Sequence, residues 1–202
     1  QPGNTPIKVY CDMTKQGGGW TLVLMTRLGD HETFKYGSTL WTTDETTNAD
    51  VLDPNTDENM KSPAYNVLPF DQIRLDLVSL GNAQIVTISK SSAKEIFSGL
   101  HIDVNYNRED FLNWVPEPSS EWSNQPCCNI KGFQSKVAGN AYCRYGIIMN
   151  NECNECSSSD SAVGFGCYTN NNCCPSVRRI SSGGFRWSPD ERYSHRGWIW
   201  VR

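Results

Sequence analysis

Eight of the nine cysteines fall within the last 76 residues of this 202-residue chain: Cys127, Cys128, Cys143, Cys153, Cys156, Cys167, Cys173 and Cys174, with Cys11 alone near the start. No other feature constrains the fold as much. Thiols at that density belong to oxidising, extracellular conditions, where disulfides persist and hold loops that lack enough core of their own. Eight cysteines allow 105 pairings, so spacing does not give the connectivity. The adjacent pairs Cys127-Cys128 and Cys173-Cys174 are each expected to send bonds to two different partners, because a bridge between neighbours is strained. Cys11 is left to pair with a cysteine upstream, with a neighbouring chain, or with the distant cluster. The spacing of Cys153-Asn154-Glu155-Cys156 also suits zinc thiolates, but no matching Cys/His pair stands at zinc-finger spacing, and disulfides are the expected use of these sulfurs.

The remaining composition narrows the class. Seven Trp, eight Tyr and seven Phe supply large apolar burial, roughly 150–250 Å² per aromatic side chain, so the length suffices for one core. A formal net charge of −4 and a pI near 5.4 leave no basic footprint for phosphate backbones, and nucleic acid is not an expected partner. No apolar run approaches the roughly 20 residues that cross a bilayer, and no charged and apolar leader precedes Gln1. The chain therefore reads as a processed or excised ectodomain, secreted or extracellular.

Periodicity gives a β-dominated α+β chain. "PIKVYCDMTKQGGGWTLVLMTR" reads as strand, glycine turn and strand, a β-hairpin with its second strand running from Trp20 to Thr26. Residues 29–61 read as loop with short pieces of structure. "QIRLDLVS" alternates Ile73, Leu75 and Leu77 with polar neighbours, and "QIVTIS" follows as a second strand. "SSAKEIFSGL" has the caps of a short helix. "NREDFLNWV" is a second, stopped by Pro116 and Pro118. "AYCRYGIIM" and the closing "RGWIWVR" read as strands, Trp198 and Trp200 being core. Residues 150–184 read as loop. The expectation is a single domain over 1–202, with a sheet-and-helix part to about residue 125 and a Cys-rich loop part from about 126 that carries the site. Long loops tied by disulfides are usually functional.

The stretch "NNECNECSSSDSAVGFG", residues 150–166, is where chemistry concentrates. Residues 150–174 hold Glu152, Glu155 and Asp160, six asparagines and no Lys or Arg. Converging carboxylates repel unless a cation sits between them. Calcium takes about six to eight hard oxygen ligands, and Asn151, Glu152, Asn154, Glu155 and Asp160 offer such oxygens. Gly164 and Gly166 are expected to let the backbone come close and turn carbonyls inward. The spacing is not that of an EF-hand, and a solvated acidic surface loop is the bland alternative.

"VYCDMTKQGGGWTLV" closely resembles the opening of fibrinogen-like domains. "KSPAYNVLPFDQIRLDLV", "GNAYC", the Cys153-Asn154-Glu155 run and "GFRWS" resemble the intelectins, or X-type lectins. The resemblance implies a β-dominated fibrinogen-like or intelectin-like fold with long disulfide-held loops, and a secreted module that binds glycans through a calcium-coordinated diol flanked by aromatic side chains. Carried over position by position, Asn154 matches a calcium ligand and Glu155 the acidic position after it with a one-residue gap. Trp187 in Gly184-Phe185-Arg186-Trp187-Ser188 matches a ligand-flanking Trp, and Tyr193 and His195 are within sequence reach as a second wall. The chain departs from the family where Cys156 stands near an expected His. It also has no clear counterpart of a later acidic ligand, for which Asp160 is the substitute. The alternative is a structural or adhesive fibrinogen-like module that binds a protein, with calcium stiffening a loop. No enzyme is expected, since His31, His101 and His195 lie far apart with no nucleophile signature nearby. Oligomerisation through Cys11, or through sequence beyond the chain's ends, would multiply a weak site.

Overall fold

The computed structural model describes residues 6–115, 126–137, 141–150, 152–154, 156, 157, 159, 161–169, 179–182 and 192–202. It opens with the expected hairpin: β1 (Cys11–Asp12) pairs antiparallel with β2 (Trp20–Thr26), Asp12 opposite Trp20. Asp12 Oδ1 accepts from the backbone N–H of Thr14 and of Lys15, both at 3.0 Å, which starts the turn. Gly18 completes it at φ 72°, where an added Cβ would stand 2.4 Å from the Met13 carbonyl oxygen; only glycine fits there.

Around this hairpin the first sheet is antiparallel. β3 (Met60–Lys61) lies against β2, and β4 (Phe70–Leu77) pairs with β5 (Ala83–Lys90). The helix α1 (Ala64–Val67) precedes β4. Then come α2 (Ala93–Ser98), capped by Ser92 Oγ accepting from Glu95 N, and α3 (Arg108–Leu112), whose Asn107 and Asp110 form a reciprocal capping box.

The second sheet is mixed. β6 (Cys127–Val137) and β7 (Ala141–Asn150) pair antiparallel, and β7 also pairs with β8 (Ser161–Phe165) and β9 (Tyr168–Thr169). β10 (Arg179–Ser182) runs parallel to β8, and β11 (Arg192–His195) parallel to β10. The chain then returns: β12 (Gly197–Val201) inserts between β2 and β4, antiparallel to both, in the middle of the first sheet.

Several segments differ from the reading of the sequence, with β8, β9 and β10 all lying within residues 150–184, read as loop. "CCNIKGFQSKV" gave no strand signal, yet β6 is eleven residues long. Its register shifts between Cys127 and Ile130, and Cys128, Gly132 and Gln134 have positive φ; such bulges break the period-2 alternation by which a strand is recognised. "SAVGF", within the run read as loop, is the fully buried strand β8. The acidic loop is therefore shorter than residues 150–166 and ends before Ser161.

One large core cluster joins the two sheets, taking Leu75 and Ile199 from the first, Phe133, Tyr145 and Val163 from the second, and Phe97, Phe111 and Trp114 from the helical connection. The other side of the first sheet is buried as well. Trp198 and Trp200 pack there with Trp20, Leu22, Met25 and Met60, so β12 is apolar on both faces because both are covered. Among the described residues no helix is long and apolar enough to cross a membrane.

Beneath that tryptophan layer lies a buried ion cluster. Arg74 Nη1 donates to Asp12 Oδ2 at 2.9 Å, while Nε and Nη2 donate to the two Asp76 oxygens at 3.2 and 2.7 Å. Trp200 Nε1 donates to Asp76 Oδ2 at 2.8 Å. Burial pushes the Asp76 carboxyl up from its ordinary value despite Arg74. Burial also acts upward on Asp12, but the N–H groups of Lys15 and Thr14, with Arg74, outweigh it and hold that carboxyl far below 3.8. The stabilisation from Asp12 is thus fully present above pH 3.8 and is lost as the pH falls below it. Asp76 has the opposite sign and acts only above 3.8, where the unfolded chain has lost its proton and the folded chain retains it. Urea titrations of wild type and Asp12→Asn between pH 2 and 5 are expected to show a shallower acid limb in the variant; parallel limbs would refute the assignment.

Candidate functional site

β7 and β8 are neighbours in the sheet, so the segment between them must reverse direction within residues 151–160. Two disulfides tie this reversal to the start of β6: Cys127–Cys153 and Cys128–Cys156, with Cα atoms 5.0 and 5.3 Å apart. The adjacent cysteines do take two partners, and both partners lie in the same turn. The zinc reading of Cys153 and Cys156 is excluded, since both sulfurs are bonded to sulfur. Cys143–Cys167 forms a third bridge across the strand pair, with Cα atoms 4.0 Å apart. Each closes a separation of 24–28 residues, for which chain-entropy arguments give stabilisation of roughly 3–4 kcal/mol. Three disulfides fit an oxidising compartment. Cys11 is free and exposed, not joined to the distant cluster; Cys173 and Cys174 lie outside the described residues.

On the clamped turn, Glu152 and Asn154 are exposed. Asn151, Glu155 and Asp160 fall outside the described residues. Ser159 and Ser161, on either side of Asp160 in the chain, are buried to 1% and 0% exposure, and the Oγ of each has no hydrogen-bond partner among the described residues. A buried hydroxyl left unpaired costs about 1–3 kcal/mol. Both serines stand at the end of the acidic turn, Ser161 as the first residue of β8. The sequence offered no means of choosing these two serines, which sit in a Ser-rich run. Among the described residues no three His, Cys, Asp or Glu side chains gather closely enough to hold a metal.

Of the three residues read as flanking a ligand, Tyr193 and His195 lie on β11 of the second sheet. Trp187 lies outside the described residues. Tyr193 is in β11, level with Ile180 and, across β10, with Val163. His195 is level with Ser182 and Phe165, four positions along β8 from Ser161 and at the end of that strand away from the turn. Trp198 and Trp200 are core, at 2% and 1% exposure.

Gly164 and Gly166 take positive φ, at 149° and 51°, and let the backbone come close, as expected. An added Cβ on Gly164 would stand 2.1 Å from the Tyr145 carbonyl oxygen, and one on Gly166 would meet Arg144 Cγ at 2.9 Å. Their missing side chains admit β7 and the loop over it.

Compared with known protein families and with curated proteins, the chain matches none.

Proposed function

We propose that the protein is an extracellular calcium-dependent glycan-binding module of fibrinogen-like, intelectin-like architecture, with the β7–β8 turn as its metal site. The observation that carries this reading is the pair of buried, unpartnered hydroxyls of Ser159 and Ser161 on a turn clamped by two disulfides and bearing Glu152 and Asn154 on its surface. Glu152, Asn154 and the neighbouring Asn151, Glu155 and Asp160 supply the remaining oxygens. The ion would bring charge balance to the turn and accept a vicinal diol in exchange for two waters. The family resemblance assigns the aromatic wall to Trp187 and Tyr193, while His195, level with the other end of β8, is left out of it. A rigid turn favours such a site, since the ligand oxygens are held in place before the ion arrives.

A single exposed site of this kind binds weakly, and linked copies raise the avidity; the exposed Cys11 thiol is available for that link. The test combines melting curves with an immobilised glycan panel, each with calcium and with chelator. Calcium is expected to raise Tm, and glycan capture to vanish on chelation and return with calcium. Glu152→Gln with Asn154→Ala is expected to weaken calcium binding about tenfold or more, or roughly 1.4 kcal/mol. A calcium-dependent Tm without glycan capture would favour the structural or adhesive module. No calcium response of either kind would end the proposal.

A further inference from the structure

A second concave site lies on the other side of the Cys143–Cys167 bridge from the acidic turn. Its lining is Lys35, Tyr36, Gly37, Tyr142, Cys167 and Tyr168, around a cleft of about 280 Å³. The sheet register builds one wall. Lys136, Tyr142 and Tyr168 are cross-strand partners on β6, β7 and β9, and their side chains form a row. Tyr142 and Tyr168 have ring centroids 6.0 Å apart, and Lys136 Nζ is 5.6 Å from the Tyr142 ring. Tyr36 closes the row from the loop after β2, stacked on Tyr142 at 4.8 Å.

The loop carrying Tyr36 is fixed from below. Arg144, nearly buried, donates through Nε and Nη2 to the Tyr36 carbonyl at 2.9 and 2.6 Å, and through Nη1 to the Phe97 carbonyl at 2.8 Å. Trp41 Nε1 donates to the carbonyls of Phe34 and Lys35, each at 3.1 Å. Three partly exposed tyrosines are therefore held in one arrangement, which lowers the ordering cost of binding. Tyr has few side-chain torsions to freeze and offers an apolar body with a polar tip.

Charge decides the class of ligand. Aromatic clefts of this kind also take quaternary ammonium groups, but here a protein cation already stands by two of the three rings and repels another: Lys136 Nζ is 5.6 Å from the Tyr142 centroid and the Arg144 guanidinium 4.5 Å from that of Tyr36. Lys35 adds a third, with Glu32 at 2.7 Å as its carboxylate partner. A neutral or anionic ligand is favoured over a cation by these neighbours. The volume, at the low end of ligand pockets, suits one ring with a substituent.

We propose that this tyrosine cleft is a second saccharide site, independent of metal, that takes a carboxylated pyranose. The C–H face of the ring packs on the aromatic wall, and the carboxylate meets Lys35 and Lys136. Gly37 supplies a clean way to close it, since a Cβ added there has nothing within 4 Å and the backbone is not in the left-handed region.

The test is ligand-observed NMR and calorimetry in chelator, with methyl glucuronide, methyl glucoside and choline as probes. Chelation silences the calcium turn, so failure at one site does not imply failure at the other. Wild type is expected to bind the glucuronide with millimolar affinity, weakening as salt rises, and to prefer it over the glucoside about fivefold or more. Gly37→Phe is expected to abolish binding with Tm unchanged, and Lys35→Ala to remove the preference for the acid. No glucuronide binding, binding that survives Gly37→Phe, equal affinity for the glucoside, or preference for choline would each overturn the proposal.

Discussion

Arg74→Met is expected to destabilise the protein by about 3–5 kcal/mol, a large part of the roughly 5–15 kcal/mol that holds a domain folded. Arg74 is completely buried beneath Trp20 and Trp200, its guanidinium 5.9 and 5.0 Å from their rings. Three of its N–H groups, on Nε, Nη1 and Nη2, donate to two carboxylates, of which Asp76 is fully buried as well. Methionine fills much of the space and leaves Asp76 with Trp200 Nε1 and the Gly81 N–H as its donors, too few for a charge in that position. The loss therefore comes mainly from the stranded carboxylate and only secondarily from the missing ion pair. Urea denaturation at pH 7 measures it, read at unchanged m-value. Adding Asp76→Leu to Arg74→Met should recover part of the stability by removing the stranded charge. A single-variant loss under about 1 kcal/mol would mean that Arg74 is not buried with its partners as described.

The second large effect is expected at Gly164, where alanine should destabilise by about 3–5 kcal/mol, summing overpacking with backbone strain. Gly164 lies opposite Gly146 in the β7–β8 register. The added methyl would stand 2.1 Å from the Tyr145 oxygen and 2.6 Å from the Gly146 Cα, on a residue at φ 149°. Backbone atoms cannot swing aside as a long side chain can, so β8 must move away from β7. Because β8 begins at Ser161, the same shift disturbs the buried serines and the clamped turn, and the calcium binding proposed for that turn is expected to fall with stability. Gly37→Ala, placed where an added methyl meets nothing, is the control expected to leave Tm within a degree or two. Equal melting temperatures for Gly164→Ala and wild type would refute the packing argument.

Local signals in the sequence were sufficient for elements whose causes are local. The Gly17-Gly18-Gly19 turn, the alternation in β4 and the cap at Ser92 each depend on a few neighbouring residues, and each element formed where expected. The alternation of β4 nevertheless misled about its second face. Arg74 and Asp76 occupy the positions that read as solvent-facing, yet the return of β12 and its tryptophans covers them. Bulges hid β6 because a one-residue insertion reverses the alternation partway along. Small residues hid β8, whose glycine is demanded by a strand that lies elsewhere in the sequence. In the candidate site, the acidic turn was legible from composition and the joining of Cys127 and Cys128 to Cys153 and Cys156 was not, since spacing leaves many pairings open. The tyrosine cleft gave no signal at all: Tyr36, Tyr142 and Tyr168 meet only through the packing of a loop on a sheet.

What the sequence determined by itself was the set of interactions that short stretches can encode: strand and helix segments, turn chemistry, an oxidising compartment, and an anionic run rich in oxygen. The tertiary structure alone decided which strand stands at the centre of the first sheet, which charges are buried together, which sulfurs join, which hydroxyls are buried and which rings meet. The reason is that these depend on contacts between residues 24 to 186 positions apart, whose energies are set by burial and mutual geometry and leave no period or spacing along the chain.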